Sequence, residues 1–199
     1  MNISFTPSIN FNAKCVKSPQ IGYKKPLETD CSSIRSSIVE IDIRNSQNIQ
    51  ALKKAVESWG EKDFYGKEII DSVKTQLKKG TKTNSKIYAL TLQKENFNIL
   101  DWSQILGLSE VSRKGKKKIE IDFLQVMPKI AGKNTDKQYF DVGSSIVRML
   151  QWKPENTHIM AKADYRAANF YEKMNFEISS PNRLIYVWKR LKGVKLPKH

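Results

Sequence analysis

Two carboxylates, Glu120 and Asp122, interrupt an otherwise apolar stretch at residues 119–128 (IEIDFLQVMP). A carboxylate on a half-buried strand beside a cleft can have a raised pKa and accept a proton from an ammonium group. Glu120 is therefore a candidate general base, and Asp122 is the second candidate. The alternative is that these acids face solvent and pair with the lysines of residues 116–118.

The alternation within residues 119–128 predicts a strand that ends at a proline. Successive side chains of a strand point to opposite faces of the sheet. The two acids are therefore expected on the face that also carries Leu124 and Val126, and opposite Ile121 and Phe123.

A possible anion site lies in the first turn of a predicted helix. Apolar residues recur at helical spacing from Val142 to Leu150, which places residues 141–144 at the helix N-terminus. The first amides of a helix have no internal partner and lie at the positive end of its dipole, so they can bind a phosphate. Gly143 has no Cβ and would let that phosphate approach closely. Asp141 could instead cap the helix by accepting these amides, which would remove them from a ligand.

A second predicted helix carries a tyrosine on its apolar face. Ala167, Phe170, Tyr171 and Met174 recur at helical spacing after a predicted strand at residues 158–163. From periodicity alone, Tyr171 is a core residue.

Taken together, these segments resemble the GCN5-related N-acetyltransferase (GNAT) family. Residues 138–144 (QYFDVGS) correspond to its Q/R-x-x-G-x-G/A loop, and residues 167–176 (AANFYEKMNF) correspond to its A-x-x-F-Y-x-K-x-G-F helix. The resemblance covers about residues 34–189 and is specific over residues 119–176. It implies an α+β, three-layer fold with a mixed, mostly antiparallel sheet flanked by helices.

The resemblance also implies an activity, the direct transfer of an acetyl group from acetyl-CoA to an amine. The loop would hold the pyrophosphate through main-chain amides, and the strand before it would pair with the pantetheine arm as an added strand does. The helix tyrosine would protonate the leaving thiolate, since their ordinary pKa values are about 10 and about 8.5. The implied catalytic residues are Tyr171 and Glu120, and the implied cofactor-binding residues are Leu124, Gln125, Val126, Gln138, Tyr139, Phe140, Asp141, Val142, Gly143, Ser144 and Asp164.

Three residues depart from the family pattern. Asp141 stands in place of the first loop glycine, Asp164 in place of an asparagine that helps to hold the cofactor, and Asn175 in place of the glycine that ends the helix. Asn175 is a mild change, because asparagine tolerates the left-handed conformation. The two aspartates bring negative charge close to the expected phosphates. They motivate an alternative function, a GNAT-fold interaction module that binds CoA weakly or not at all.

The balance of charge supports a third hypothesis. The chain has 199 residues, of which 35 are basic and 20 acidic, giving a net charge of +15. Such a field attracts phosphate-bearing molecules, so an RNA- or ribosome-binding protein is possible. It is not favoured, because the basic clusters at residues 113–118 and 189–198 lack interleaved aromatic residues on which bases would stack.

The apolar runs, the first residues and the cysteines of the sequence predict where the protein is located and whether it binds a metal. No run reaches the about 18 apolar residues of a membrane span, and the first 11 residues are polar and rich in asparagine rather than signal-like. Cys15 and Cys31 have no histidine nearby, so two free thiols in the cytoplasm are expected, with neither a metal site nor a membrane partner.

One domain is expected. Residues 1–33 are rich in Pro, Asn, Ser and Lys without a sustained period, and they are predicted to be an unstructured extension before a domain at residues 34–199. A strand at 34–43, helices from Asn45 or Ser46 and over about 63–78, and strands at 86–92, 119–128, 158–163 and 184–188 are predicted, with 105–111 as either strand or turn. The acceptor, whether small molecule, peptide or protein, would bind near residues 59–65 and after Phe176.

Overall fold

The computed structural model describes residues 13–25, 30–60, 64–79, 84–131 and 138–191. The strands within these ranges are β1 (Lys14–Lys17), β2 (Gln20–Lys24), β3 (Cys31–Arg35), β4 (Ser37–Ile41), β5 (Ser85–Thr91), β6 (Ile105–Arg113), β7 (Lys118–Val126), β8 (Tyr139–Phe140), β9 (His158–Lys162), β10 (Glu177–Ser180) and β11 (Ile185–Lys189).

Eight of these strands form a mixed sheet in the order β1-β4-β5-β6-β7-β9-β11-β10, and the other three form a smaller sheet in the order β3-β2-β8. Every neighbouring pair is antiparallel except β7 and β9.

Four α-helices lie within the described residues: α1 (Ser46–Trp59), α2 (Phe64–Lys79), α3 (Val142–Trp152) and α4 (Ala168–Lys173). The predicted cap of α1 is confirmed, because the Asn45 side chain accepts hydrogen bonds from the amides of Gln47 and Asn48 at 3.0 and 3.3 Å. The glycine expected to end α2, Gly80, lies outside the described residues.

The large sheet separates two apolar layers. One face packs against α1 and α2 through Leu52, Val56, Ile69 and Val73, among others. The opposite face packs against α3 and α4 through residues that include Ile146, Leu150, Tyr171, Met174 and Tyr186. This helix–sheet–helix arrangement is the predicted three-layer α+β fold.

The prediction for the N-terminal segment is wrong for the part that the structure describes. Residues 14–17 add a strand to the edge of the large sheet, and β2 and β3 form a hairpin between residues 20 and 35. Ile21 is only 1% exposed and belongs to the same apolar layer as α3. This segment has low local hydrophobicity but its few apolar residues find a place in the core, which composition cannot foresee. Residues 1–12 and 26–29 lie outside the description.

The structure also settles the bounds of two other predicted segments. The strand predicted at residues 34–43 is two strands, β3 and β4, separated at Ser36, whose amide donates to the carbonyl of Pro19 at 2.9 Å. The stretch at 105–111, left open between strand and turn, is β6, which is buried on both faces and therefore lacks alternation.

Candidate active site

The two parallel strands at the centre of the sheet separate part-way along their length. Residues 118–121 of β7 pair with residues 158–161 of β9, and the ladder ends at the pair Ile121–Ala161. On its other side β7 stays paired with β6 as far as Val126 and Gly107. The end of β7 therefore has an edge that β9 does not cover, which is the feature expected for Leu124, Gln125 and Val126.

Some backbone groups at this end of β7 already have partners. The Gln125 side-chain amide donates to the carbonyl of Val126 at 2.7 Å. The hydroxyl of Ser109 donates to the carbonyl of Phe123 at 3.0 Å. Leu124, Gln125 and Val126 are all half-buried, which is consistent with a strand at the wall of a cleft.

The N-terminus of α3 follows this strand. Asp141 adopts a left-handed backbone with φ 61° and makes no side-chain hydrogen bond to the helix amides. Its carboxylate instead accepts from the Ser144 hydroxyl at 3.2 Å. The alternative in which Asp141 caps the helix is therefore wrong. The left-handed conformation also explains why a glycine suits this position and why aspartate, which tolerates it, can replace glycine.

Gly143 lies where strand, loop and helix meet. A Cβ added there would be 3.3 Å from Cγ2 of Val126 and 3.5 Å from the ring of Phe170. Gly143 therefore lets the first turn of α3 pack closely against the end of β7 and against α4.

The beginning of the loop is held by the N-terminal hairpin. Tyr139 and Phe140 form β8, which pairs with Tyr23 and Gly22 of β2, and the Lys24 amide donates to the Gln138 carbonyl at 2.9 Å. Backbone groups of these loop residues are thus engaged in a sheet. They position the loop, and the helix amides after them are the better anion donors.

Tyr171 is in the core, as its periodicity predicts, and is 5% exposed. Its ring stacks on Tyr186 with centroids 5.7 Å apart and meets Phe170 and Phe176 edge-on. Burial is the main cause of the raised pKa of Tyr171, and the charge of the neighbouring Tyr65 raises it further. The phenol therefore keeps its proton at neutral pH.

No protein-family profile matches the sequence, and no curated protein sequence matches it either. Solved structures do match. A Desulfovibrio desulfuricans protein assigned to the GNAT family of acetyltransferases has a TM-score of 0.50 at 12% identity, over 77% of this chain and 98% of that one. The chain has the GNAT fold.

Two further structures are similar at lower TM-scores. N-acetyltransferase PseH of Campylobacter jejuni has a TM-score of 0.48 at 16% identity, over 78% of this chain and 99% of that one. An acetyltransferase from Thermus thermophilus has a TM-score of 0.47 at 10% identity, over 78% of this chain and 97% of that one.

A β-bulge changes the expected faces of the central GNAT strand. Glu110 of β6 pairs with Phe123 and Val111 pairs with Ile121, so Asp122 is an extra residue in β7. Phe123 consequently packs in the α1–α2 layer and Leu124 in the α3–α4 layer. The prediction that both acids share a face with Leu124 and Val126 is therefore wrong. The acids lie on the α2 side, because a bulge moves every later side chain to the opposite face.

Glu120 and Asp122 differ in their surroundings. Lys114 lies 3.1 Å from a Glu120 carboxylate oxygen and 3.9 Å from a carboxylate oxygen of Asp122, so the acids pair with this lysine and not with the expected lysines of residues 116–118. Burial is the main cause of the raised pKa of Asp122, although hydrogen bonding to Ser112 and the charge of Lys114 oppose it.

Sequence reasoning missed a third acid, Glu110, inside the apolar strand β6. It is 4% exposed and lies opposite Phe123 in the ladder. The Ser72 hydroxyl and the Gln76 side-chain amide, both on α2, donate to its Oε1 at 2.6 and 3.0 Å. The available signal was an acidic residue within a run of buried positions.

The negative charge of Asp164, one of the departures from the family pattern, is balanced by a neighbouring arginine. It precedes α4 and binds Arg166 in a bidentate ion pair, with N–O distances of 3.1 and 2.9 Å, while also accepting the Arg166 amide. These bonds lower the pKa of Asp164 and neutralise much of its field.

Tyr65, at the start of α2, lies on the α2 side of the cleft. Its ring centroid is 6.1 Å from that of Phe123. It belongs to the 59–65 region expected to meet the acceptor, of which residues 61–63 lie outside the description.

Neither a metal-binding cluster nor a membrane-spanning helix is found in the described ranges. These ranges contain no group of three or more His, Cys, Asp or Glu residues arranged to hold a metal ion. They also contain no helix with the length and apolar character needed to cross a membrane.

Proposed function

We propose that this protein is an acetyl-CoA-dependent N-acetyltransferase that transfers the acetyl group directly to an amine. The observation that carries the proposal is the separation of β7 from β9 after Ile121, where the end of β7 contacts the first turn of α3, whose amides Asp141 does not cap with its side chain. An extended thioester arm fits beside the free edge of β7, and its phosphates fit the first turn of α3.

The proposed roles follow from position. Amides of Val142, Gly143 and Ser144 bind the pyrophosphate, and the end of β7 aligns the acyl group for attack. An acid on the α2 side of β7, Glu120 or Asp122, accepts the proton of the incoming ammonium. Tyr171 donates a proton to the departing sulfur. A backbone amide near Val126 stabilises the oxyanion.

The interaction-module alternative rests on two aspartates, and the geometry weakens both objections. Asp141 leaves the helix amides free of its side chain, and the charge of Asp164 is matched by Arg166. We therefore prefer the acetyltransferase function over the interaction module. Cys15 and Cys31 are both free thiols, and the proposal keeps the cytoplasm as the place of action.

Calorimetric titration with acetyl-CoA at physiological salt tests the binding half of the proposal, with ATP as the control polyanion. We expect micromolar binding of acetyl-CoA that ATP does not reproduce. Equal and weak binding of both would mean that only the net charge of +15 is being titrated. The interaction-module hypothesis would then replace the enzyme hypothesis.

Thiol release from acetyl-CoA with lysine peptides, polyamines and aminoglycosides tests the catalytic half. Tyr171→Phe should lower kcat by about 10²-fold or more while leaving acetyl-CoA affinity unchanged, because it removes only a proton donor. The ring contacts with Tyr186 and Phe176 survive the change, so thermal stability serves as the control. Unchanged kcat with an active acceptor would remove Tyr171 from the mechanism.

A further inference from the structure

A small cavity lies at the C-terminal end of α3, between that helix and the strands β5, β6 and β7. Its volume is about 50 Å³, and its apolar lining is formed by Val111, Ile119 and Leu150. A single buried water needs about 10–15 Å³, so the cavity has room for a group of several heavy atoms. Helix α3 has 11 residues and is therefore about 16 Å long, which separates the cavity from the proposed cofactor site at the N-terminus of α3.

Three cationic side chains line this cavity from different elements. Lys86 comes from β5, Arg113 from the end of β6, and Lys153 from the position directly after α3. Arg113 also donates to the carbonyl of Lys116 at 2.8 Å, which holds its guanidinium in place. The acid in the lining is Glu155, which forms no ion pair with any residue that the structure describes. Three positive charges therefore share the cavity with one negative charge.

The ammonium group of Lys153 is the least hydrated of the three cations. Lys153 is half-buried, whereas Lys86 and Arg113 are exposed. The ammonium lies 4.7 Å from the centre of the Tyr88 ring and donates to the Tyr88 hydroxyl at 2.9 Å. This is its one hydrogen bond within the described ranges. Since an ammonium group carries three donors, two remain for a ligand in the cavity.

The nearest acids do not compensate the charge of Lys153. Glu40 lies 2.7 Å from the Lys86 ammonium and is hydrogen-bonded to Tyr88, so its charge is already engaged. Burial is the main cause of the lowered pKa of Lys153, and the charges of Glu40 and Glu155 oppose it. An anion in the cavity would supply the charge and the acceptors that the Lys153 ammonium lacks.

The backbone at this end of α3 is also prepared for an anion. The last carbonyls of a helix form the negative end of its dipole and would repel a negative ligand. Here Arg190 donates to the carbonyls of Gln151, Lys153 and Pro154 at 2.7, 2.8 and 3.1 Å. A fourth cation therefore covers these carbonyls, which weakens the repulsion.

We propose that this cavity is a binding site for a phosphate group, either inorganic phosphate or the terminal phosphate of a larger ligand, held by Lys153 and Arg113 with Lys86 at the edge. A phosphate group is small and carries more than one negative charge near neutral pH. Its tetrahedral oxygens accept hydrogen bonds from several sides, whereas a carboxylate presents two oxygens in one plane. The site does not depend on the proposed acetyltransferase function.

Amide NMR of the full chain, titrated with inorganic phosphate at constant ionic strength, tests the location of the site. We expect saturable shifts with one common midpoint for the amides of Lys86, Arg113 and residues 153–156. Acetate is the control anion and should give no saturable shift there. Shifts confined to residues 142–144, or spread over the basic surface without saturation, would overturn the proposal.

Two matched pairs of variants separate the cavity from the overall positive charge. Lys153→Met should weaken phosphate binding by about tenfold or more, because it removes a charged donor. Lys53→Met on the exposed surface of α1 changes the net charge equally and should have less than about a twofold effect. Glu155→Gln should strengthen binding by about threefold, since it removes a repelling charge, while Glu57→Gln on α1 should not.

Equal effects within each pair would show that phosphate senses only the net charge, and the proposal would fail. If Lys153→Met does not fold, the Glu155→Gln pair decides, because the side chain of Glu155 is exposed. Methyl phosphate then identifies the source of the phosphate group. Affinity equal to that of inorganic phosphate supports the terminal phosphate of a larger ligand, and affinity about tenfold lower supports the free ion.

Discussion

At the residue scale, two positions shape the proposed anion site of this GNAT fold. A methyl group on Gly143 would stand 3.3 Å from Cγ2 of Val126 and 3.5 Å from the ring of Phe170. Asp141, which follows the loop strand in a left-handed conformation, does not take those amides for itself. The site therefore depends more on what these two positions leave open than on any side chain that they add.

Gly143→Ala should weaken acetyl-CoA binding by about tenfold or more while changing stability little. The added methyl would press on Val126 and Phe170 and so shift the first turn of α3 and its amides, whereas the gain of up to about 1 kcal/mol in helix propensity offsets the cost of the tight contact. Calorimetry and thermal unfolding measure the two effects. Gly115→Ala is the matched control, because its Cβ would meet its nearest neighbour only at 3.9 Å. Undiminished affinity in Gly143→Ala would place the phosphates elsewhere.

Among the secondary-structure elements, the N-terminal hairpin has the least expected position. β2 pairs with β8, and β8 leads directly into the first turn of α3. Ile21 anchors the hairpin in the apolar layer beneath that helix. The segment is thus a support for the candidate cofactor loop.

Ile21→Ala should lower the free energy of unfolding by about 2–5 kcal/mol, because it leaves a cavity in a closed apolar layer. It should also weaken acetyl-CoA binding, since the hairpin positions β8. Urea unfolding and calorimetry check these results. Ile178→Ala on the edge strand β10, where the side chain is 46% exposed, should change stability by no more than about 0.5 kcal/mol. Equal effects of the two substitutions would show that the hairpin does not support the candidate cofactor loop.

Over the whole molecule, the net charge of +15 produces a long-range electrostatic field and does not by itself define a binding site. It attracts any polyanion, including CoA and RNA, and salt screens it. The contacts proposed between CoA and the first turn of α3 are short-range and are screened less.

Binding of an unstructured RNA should therefore fall by about 10³-fold between 50 and 200 mM salt and show no sequence preference, as counterion release requires. Acetyl-CoA affinity should fall far less over the same range. Fluorescence anisotropy with a homopolymer and a hairpin RNA, beside calorimetry with acetyl-CoA, compares the two. An RNA preference that persists at the higher salt would revive the nucleic-acid hypothesis.

The sequence by itself determined the elements whose patterns are local. The helix face that carries Tyr171, the Asn45 cap of α1 and the left-handed Asn175 after α4 all follow from spacing and residue type, and all are present. The family-like motifs predicted a helix after the loop and a second helix after the strand at residues 158–163, and α3 and α4 are present there. Each of these features depends on residues within a few turns of one another.

Only the tertiary structure decided the rest, because it depends on pairing between distant segments. The bulge at Asp122 exists only in register with β6, yet it turns Phe123 toward α2 and places Glu110 beside Asp122. The hairpin of residues 20–35 gains its order from β8 and from an apolar layer that closes over Ile21, more than 100 residues away in the sequence. A strand ladder is a property of two segments at once, so no local pattern in either segment could reveal it.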